Sequence, residues 1–214
     1  MQALTANVFA EYIAQGCTIV DLRDVKDFKQ GFIKDSILVA SGIKFKDYYE
    51  FFKGKEPLLV VCYPEEKDSS LKLIQDAGFK NIAGFLEHGF ASWLDAQNPI
   101  DVIIDVEADE LMMDLPYDDN LVIMDIRSPL TFASGHLKES VNLPLADMTD
   151  VVRLSAIDDH DNIYIVGNND EEVFLAASLL KRHEFHNLRV VIGGWQALEQ
   201  QPNVVIEKEP GMLN

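Results

Sequence analysis

Val20-Asp21-Leu22-Arg23, followed by Phe28, Gly31-Phe32-Ile33 and Ser36-Ile37, returns later in the same chain. Its second appearance is Met124-Asp125-Ile126-Arg127, Phe132, Gly135-His136-Leu137 and Ser140-Val141. The offset is 104 residues (125 − 21 = 104), reaching 105 at Gly89/Gly194 and 106 at Phe79/Phe185 and Asn81/Asn187. Near-constant spacing over such a length means one folding unit written twice, each copy the size of a small domain. The reading places the domains at residues 1–98 and 99–214, with a connector near 97–106 where Asn98-Pro99 breaks the preceding helix.

Each copy alternates strands and helices. Thr5 followed by Ala6 to Ile13 reads as a capped amphipathic helix stopping at Gly16. Cys17–Leu22 is short and β-branched, hence a strand, and Ile37–Val39 is another. After Pro57, the apolar run Leu58-Leu59-Val60-Val61-Cys62 reads as a central parallel strand covered on both faces. Tyr63–Asp68 is then a loop, 69–77 a helix, 81–85 a strand and 89–96 a closing helix. The second copy repeats this order, with helix 107–115, strand 121–126, central strand 162–166, helix 173–183, strand 189–192 and helix 194–200. Such alternation predicts an α/β fold in each domain, a mostly parallel sheet flanked by helices. Ligands of such sheets sit beyond the carboxyl ends of the strands, here at 63–68 and at 167–172.

Composition excludes several classes of function. A net charge of −18 over 214 residues opposes nucleic acid, anionic membranes and small anions unless a local basic pocket overrides it. Hydrophobic residues make up 48%, and no apolar run approaches the roughly 20 needed to span a bilayer. The N-terminal stretch has neither the basic nor the apolar part of a signal peptide. Two cysteines 45 positions apart (62 − 17 = 45) make no disulfide framework, so a cytoplasmic location is expected. His183-x-x-His186 has metal-like spacing without acidic or cysteine company, so neither a metal nor a cofactor is expected.

Asp-x-Arg, then Phe before a Gly-aromatic-Ile/Leu turn, then a strand-ending Cys loop, and His-Gly or Gly-Gly before a closing helix, resembles the rhodanese (sulfurtransferase) domain. Both copies carry the resemblance over nearly their full length. Asp125-Ile126-Arg127 with Gly135-His136-Leu137 and Val141-Asn142-Leu143-Pro144 is the sharper match. Ala3–Ala6, Gly31-Phe32-Ile33 with Ser36-Ile37, and Leu86–Trp93 are similar to the rhodanese pair that follows a metallo-β-lactamase-fold domain in persulfide dioxygenase fusions. That resemblance implies a protein partner or such a dioxygenase as a partner.

The family's nucleophile is a cysteine at the tip of the central strand, which takes a sulfane sulfur as a persulfide. Cys62 stands there in the first copy, with Lys67 as the nearby cation. Sulfur transfer needs a thiolate, stabilised by cations, helix N-termini or a cradle of backbone N–H groups. Cys62-Tyr63-Pro64-Glu65-Glu66-Lys67-Asp68 offers three carboxylates and no glycine, and Pro64 removes a donor. A carboxylate ~5 Å from a thiolate costs about 3 kcal/mol at an effective dielectric of 20, raising the thiol pKa by about two. Asp68 also occupies the Arg position of a Cys-x5-Arg phosphatase, which excludes that chemistry in its usual form. In the second copy Gly167 takes the nucleophile's place, and Asp170-Glu171-Glu172 reads as a charge cap on the following helix. Asp21/Arg23 and Asp125/Arg127 read as structural pairs, and Trp93 and Trp195 as core anchors. The expectation is a degenerate tandem rhodanese acting in binding or regulation linked to sulfur metabolism. The alternative is a thiosulfate or persulfide sulfurtransferase using Cys62.

Overall fold

The computed structural model describes residues 2–40, 49–52, 54, 57–155, 157–158 and 160–209. The chain forms two compact units, Met1–Val102 and Ile103–Asn214.

In the first unit the order is β1 (Ala3–Leu4), α1 (Ala6–Ala14), β2 (Thr18–Asp21), α2 (Val25–Phe28), β3 (Ile37–Leu38), α3 (Tyr49–Phe52) and β4 (Leu58–Val61). A 3-10 turn (Pro64–Glu66), α4 (Lys67–Asp76), β5 (Ile82–Leu86) and α5 (Phe90–Asp95) complete it. Among the described residues the sheet runs β1-β5-β4-β2-β3, and every neighbouring pair is parallel. The sheet is thus wholly parallel where the sequence predicts mostly parallel. All four residues of β4 are fully buried, as a central strand covered on both faces requires. From β2 the chain moves outward to β3, and from β4 it moves the opposite way to β5. That reversal opens a crevice beyond the ends of β2 and β4, and Cys62 follows β4 there.

The second unit contains β6 (Ile104–Val106), α6 (Ala108–Asp114), β7 (Leu121–Asp125), α7 (Pro129–Ser134), β8 (His136–Leu137) and β9 (Val141–Asn142). A 3-10 turn (Leu145–Asp147), α8 (Val151–Leu154), β10 (Asn162–Val166), α9 (Asp170–Arg182), β11 (Leu188–Val191), α10 (Gly194–Leu198) and β12 (Ile206–Glu207) follow. Its parallel sheet, β6-β11-β10-β7-β9, repeats the permutation of the first. Repeated sequence therefore carries repeated topology. Among the described residues no helix is long and apolar enough to cross a membrane.

Four local readings change. Thr5 holds the N-cap position of α1, but its hydroxyl makes no capping bond. The expected loop at 63–68 is instead helical from Pro64 onward, because the fixed φ of proline suits the first helical positions. Helix α9 begins at Asp170 rather than Val173, since the Asn169 side chain accepts the Glu172 N–H at 2.9 Å and caps it there. The connector is also anchored: Phe32 and Asp101 exchange backbone hydrogen bonds of 3.0 and 2.8 Å, which holds residues up to Val102 with the first unit. The second unit repeats this return as the antiparallel ribbon β8–β12, pairing His136 with Glu207. Pieces of two residues carry no periodicity, so β1, β8, β9 and β12 leave no sequence signal.

Candidate functional site

Both crevices are framed by the same clamp. The Arg23 Nε donates to Asp21 Oδ1 at 3.0 Å, its terminal nitrogen to Asp21 Oδ2 at 2.7 Å and to the Gly31 carbonyl at 3.0 Å. Its guanidinium lies 3.9 Å above the Phe90 ring. Arg127 does the same with Asp125, the Gly135 carbonyl and the Trp195 ring. Both pairs are buried. These guanidinium groups tie the end of one strand to the glycine turn and the closing helix, the structural role expected of them. Trp93 is buried and donates through Nε1 to the Pro99 carbonyl at 2.9 Å.

Cys62 is 3% exposed. It lies between two cavities. The larger, about 540 Å³, also meets Arg23, Asp27, Pro64, Glu65 and Leu94. The smaller, about 230 Å³, meets Pro64, Lys67, Phe85 and Glu87. Burial pushes the thiol up from an ordinary 9.0 to about 11. A hydrogen bond with Ser70 opposes the rise, Asp21 and Glu66 add to it, and the Lys67 charge opposes it least. Desolvation therefore does what the sequence reading assigned to carboxylates, and the carboxylates that contribute are Asp21 and Glu66. Lys67 lines the smaller cavity, but its Nζ pairs with Asp68 at 3.2 Å and stands 5.6 Å from the Phe85 ring.

Two contacts near Cys62 have no sequence signal. Ser70 reaches the thiol from α4, eight residues on (70 − 62 = 8), a contact made only by how the helix packs beside the strand end. The Tyr63 hydroxyl donates to Asp27 Oδ2 at 2.7 Å and accepts the Asp24 N–H at 3.2 Å, tying the strand end to α2. Burial, and then the bond to Asp27, push this phenol up to about 12. Gly89 closes the site from above with φ +68°; a Cβ there would stand 2.9 Å from the Cys62 carbonyl and 3.2 Å from Pro64 Cδ.

In the second unit the space of the missing side chain is filled. A Cβ on Gly167 would stand 2.8 Å from Val173 Cγ1 and 3.1 Å from Ile126 Cγ1. The Gly167 carbonyl accepts the Trp195 N–H at 3.0 Å. The acidic run sits in the first turn of α9 as expected, and Asp170 Oδ1 also accepts the Gly193 N–H at 3.3 Å. Gly167→Cys is therefore expected to destabilise the second unit by about 1–3 kcal/mol through overpacking, read as a shift in its urea transition. It is also expected to gain no sulfur from thiosulfate, read by intact mass. Among the described residues no group of three or more His, Cys, Asp or Glu is placed to hold a metal ion.

Two parallel sheets of identical order, each ending in an Asp-x-Arg clamp beneath a glycine-led closing helix, define a duplicated α/β protein with its site at the strand ends. The rhodanese-like domain family is matched over residues 5–96 and again over 106–201, and the chain belongs to that family. Solved structures similar to it include a rhodanese-like domain from Anabaena sp, at 25% identity over 49% of this chain and 78% of that one, with a TM-score of 0.45. Another is a thiosulfate sulfurtransferase from Pseudomonas aeruginosa, at 16% identity over 98% of this chain and 44% of that one, with a TM-score of 0.41. A comparison with curated proteins gives no match.

Proposed function

We propose that this chain is a degenerate tandem rhodanese that acts by binding, in a role linked to sulfur metabolism, rather than by transferring sulfur. The observation that supports this most is the state of Cys62: a buried thiol pushed up to about 11, with Lys67 paired to Asp68. Transfer from thiosulfate requires a thiolate to attack the sulfane sulfur, so that the S–S bond breaks and sulfite leaves with its electron pair. Gly167 offers no nucleophile at all, and its surroundings are packed. A metallo-β-lactamase-fold persulfide dioxygenase is the partner we propose, on the resemblance of Leu86–Trp93 and its companion segments.

One observation favours the competing reading, in which Cys62 carries a persulfide and Lys67 assists. Cys62 borders two cavities, Lys67 borders one of them, and Ser70 donates toward the sulfur. Incubation with excess thiosulfate followed by intact mass separates the two. An unchanged mass is expected. Gain of one sulfur that disappears in Cys62→Ser would overturn the binding reading.

A further inference from the structure

The Arg23 guanidinium has more donors than its clamp uses. Nε and the terminal nitrogen Nη2 are turned to Asp21 and the Gly31 carbonyl, and the Phe90 ring covers one face. The other terminal nitrogen, Nη1, bonds to no described residue. Arg23 is 4% exposed, and it borders the cavity of about 540 Å³ beside Cys62. With one face covered and two nitrogens engaged, Nη1 is the polar atom left to meet that cavity. Its two N–H donors are withdrawn from bulk water and no described group receives them, so the site calls for an acceptor.

The charge that comes with these donors is already balanced, because an Asp21 oxygen lies 2.7 Å from Nη2. Asp27 and Glu65 border the cavity as well, and among the described residues no lysine and no second arginine does. His88 borders it with its Nε2 3.9 Å from a Glu87 oxygen. The local field is negative on balance, which disfavours an anion. The rest of the wall is apolar. Phe90 and Leu94 stand four apart on α5 and so share a face. Ile100 joins them from the connector, which the Phe32–Asp101 backbone bonds hold in place, and its Cδ1 lies where a Cβ on Gly31 would come within 2.8 Å. Leu94 and Ile100 are 47% and 43% exposed, apolar surface that a ligand in the cavity would cover.

We propose that the Cys62 cavity binds a small neutral carboxamide with a branched or cyclic hydrocarbon body. Its carbonyl oxygen accepts from Arg23 Nη1, and its hydrocarbon covers Phe90, Leu94 and Ile100. Its N–H groups suit the carboxylates of Asp27 and Glu65, to which a ketone or a carboxylate brings no donor. The volume falls in the range of roughly 300–1,000 Å³ usual for small-molecule sites. This names a ligand class for the binding reading above and rests on that reading.

Titration with cyclohexanecarboxamide, followed by calorimetry and by the guanidinium N–H resonances, tests the proposal. Saturable binding is expected, with the Arg23 resonances moving over the same concentrations. Those of Arg127 are expected to stay put, since Ile126 and Val173 fill the strand end of the second unit. Cyclohexanecarboxylate, of the same shape but charged, is expected to bind about tenfold more weakly or worse. Leu94→Gln with Ile100→Gln, both at exposed positions, is expected to weaken binding of the amide about tenfold. Arg23 resonances unmoved up to about 10 mM amide overturn the proposal, and so does a carboxylate that binds as tightly as the amide. No sulfur donor is present in this titration, so its failure strikes the ligand class alone, whereas sulfur gained from thiosulfate strikes the binding reading.

Discussion

Arg127→Met is expected to destabilise the second unit by about 3–5 kcal/mol, because it leaves the Asp125 carboxylate buried without its counter-charge. Both side chains are 2% exposed, so water cannot replace the lost bonds. The guanidinium contacts Asp125 through Nε at 2.9 Å and through a terminal nitrogen at 2.6 Å, and it holds the Gly135 carbonyl at 2.8 Å. Methionine matches the length of the stem but brings no donor to any of these acceptors. For a domain of this size the loss corresponds to a fall in Tm of roughly 12 °C or more. The double variant Asp125→Leu/Arg127→Met is expected to recover most of it, since a buried ion pair is worth little over an apolar pair of similar volume. Urea denaturation of the three proteins checks this. A loss below about 1 kcal/mol in the single variant would show that the clamp is solvated in solution. Arg23→Met is expected to do the same to the first unit through Asp21 and Gly31.

The second large effect concerns Cys62. In a Cys17→Ser background, iodoacetamide is expected to alkylate the native protein at pH 7 about a hundredfold more slowly than the urea-unfolded chain, from thiolate fraction alone. The factor follows from the displacement of the thiol from 9.0 to about 11. The native rate is expected to keep rising tenfold per pH unit through pH 9 and 10, where an ordinary cysteine levels off. Its stability counterpart has a definite sign. The folded state holds the thiol proton more tightly than the unfolded chain does, so this contribution is complete below about pH 9 and is lost as pH rises toward 11. A native rate that levels off at or below pH 9 would mean that the sulfur is stabilised as a thiolate, and would favour the sulfurtransferase reading.

Much of this architecture is legible in the residues because its causes are local. Leu58-Leu59-Val60-Val61 can only be a strand covered on both faces, and the same order of runs returning after 104 residues requires a second copy. The Asp-x-Arg pairs are equally local, since two residues on consecutive same-face positions meet across one turn of chain. Gly167 at the end of the second central strand, where the first copy carries Cys62, is plain from the sequence as well. The Cys62 surroundings are legible only in part. The acidic side chains are visible there, but Pro64 starts a helical turn where a loop is expected, and Ser70 approaches from beyond it.

Alone, the sequence determined a duplicated α/β chain, the two strand ends where candidate sites are expected, and the absence of a cysteine from one of them. Tertiary structure decided how far Cys62 is withdrawn from water, that Ile126 and Val173 fill the space at Gly167, and that His136 stacks on Phe132 as Phe32 stacks on Phe28. The reason is range. Strand and helix patterns arise from neighbours a few residues apart, whereas desolvation and cavity shape depend on groups such as His136 and Glu207, seventy-one positions apart in the chain (207 − 136 = 71) and paired only once the sheet has formed.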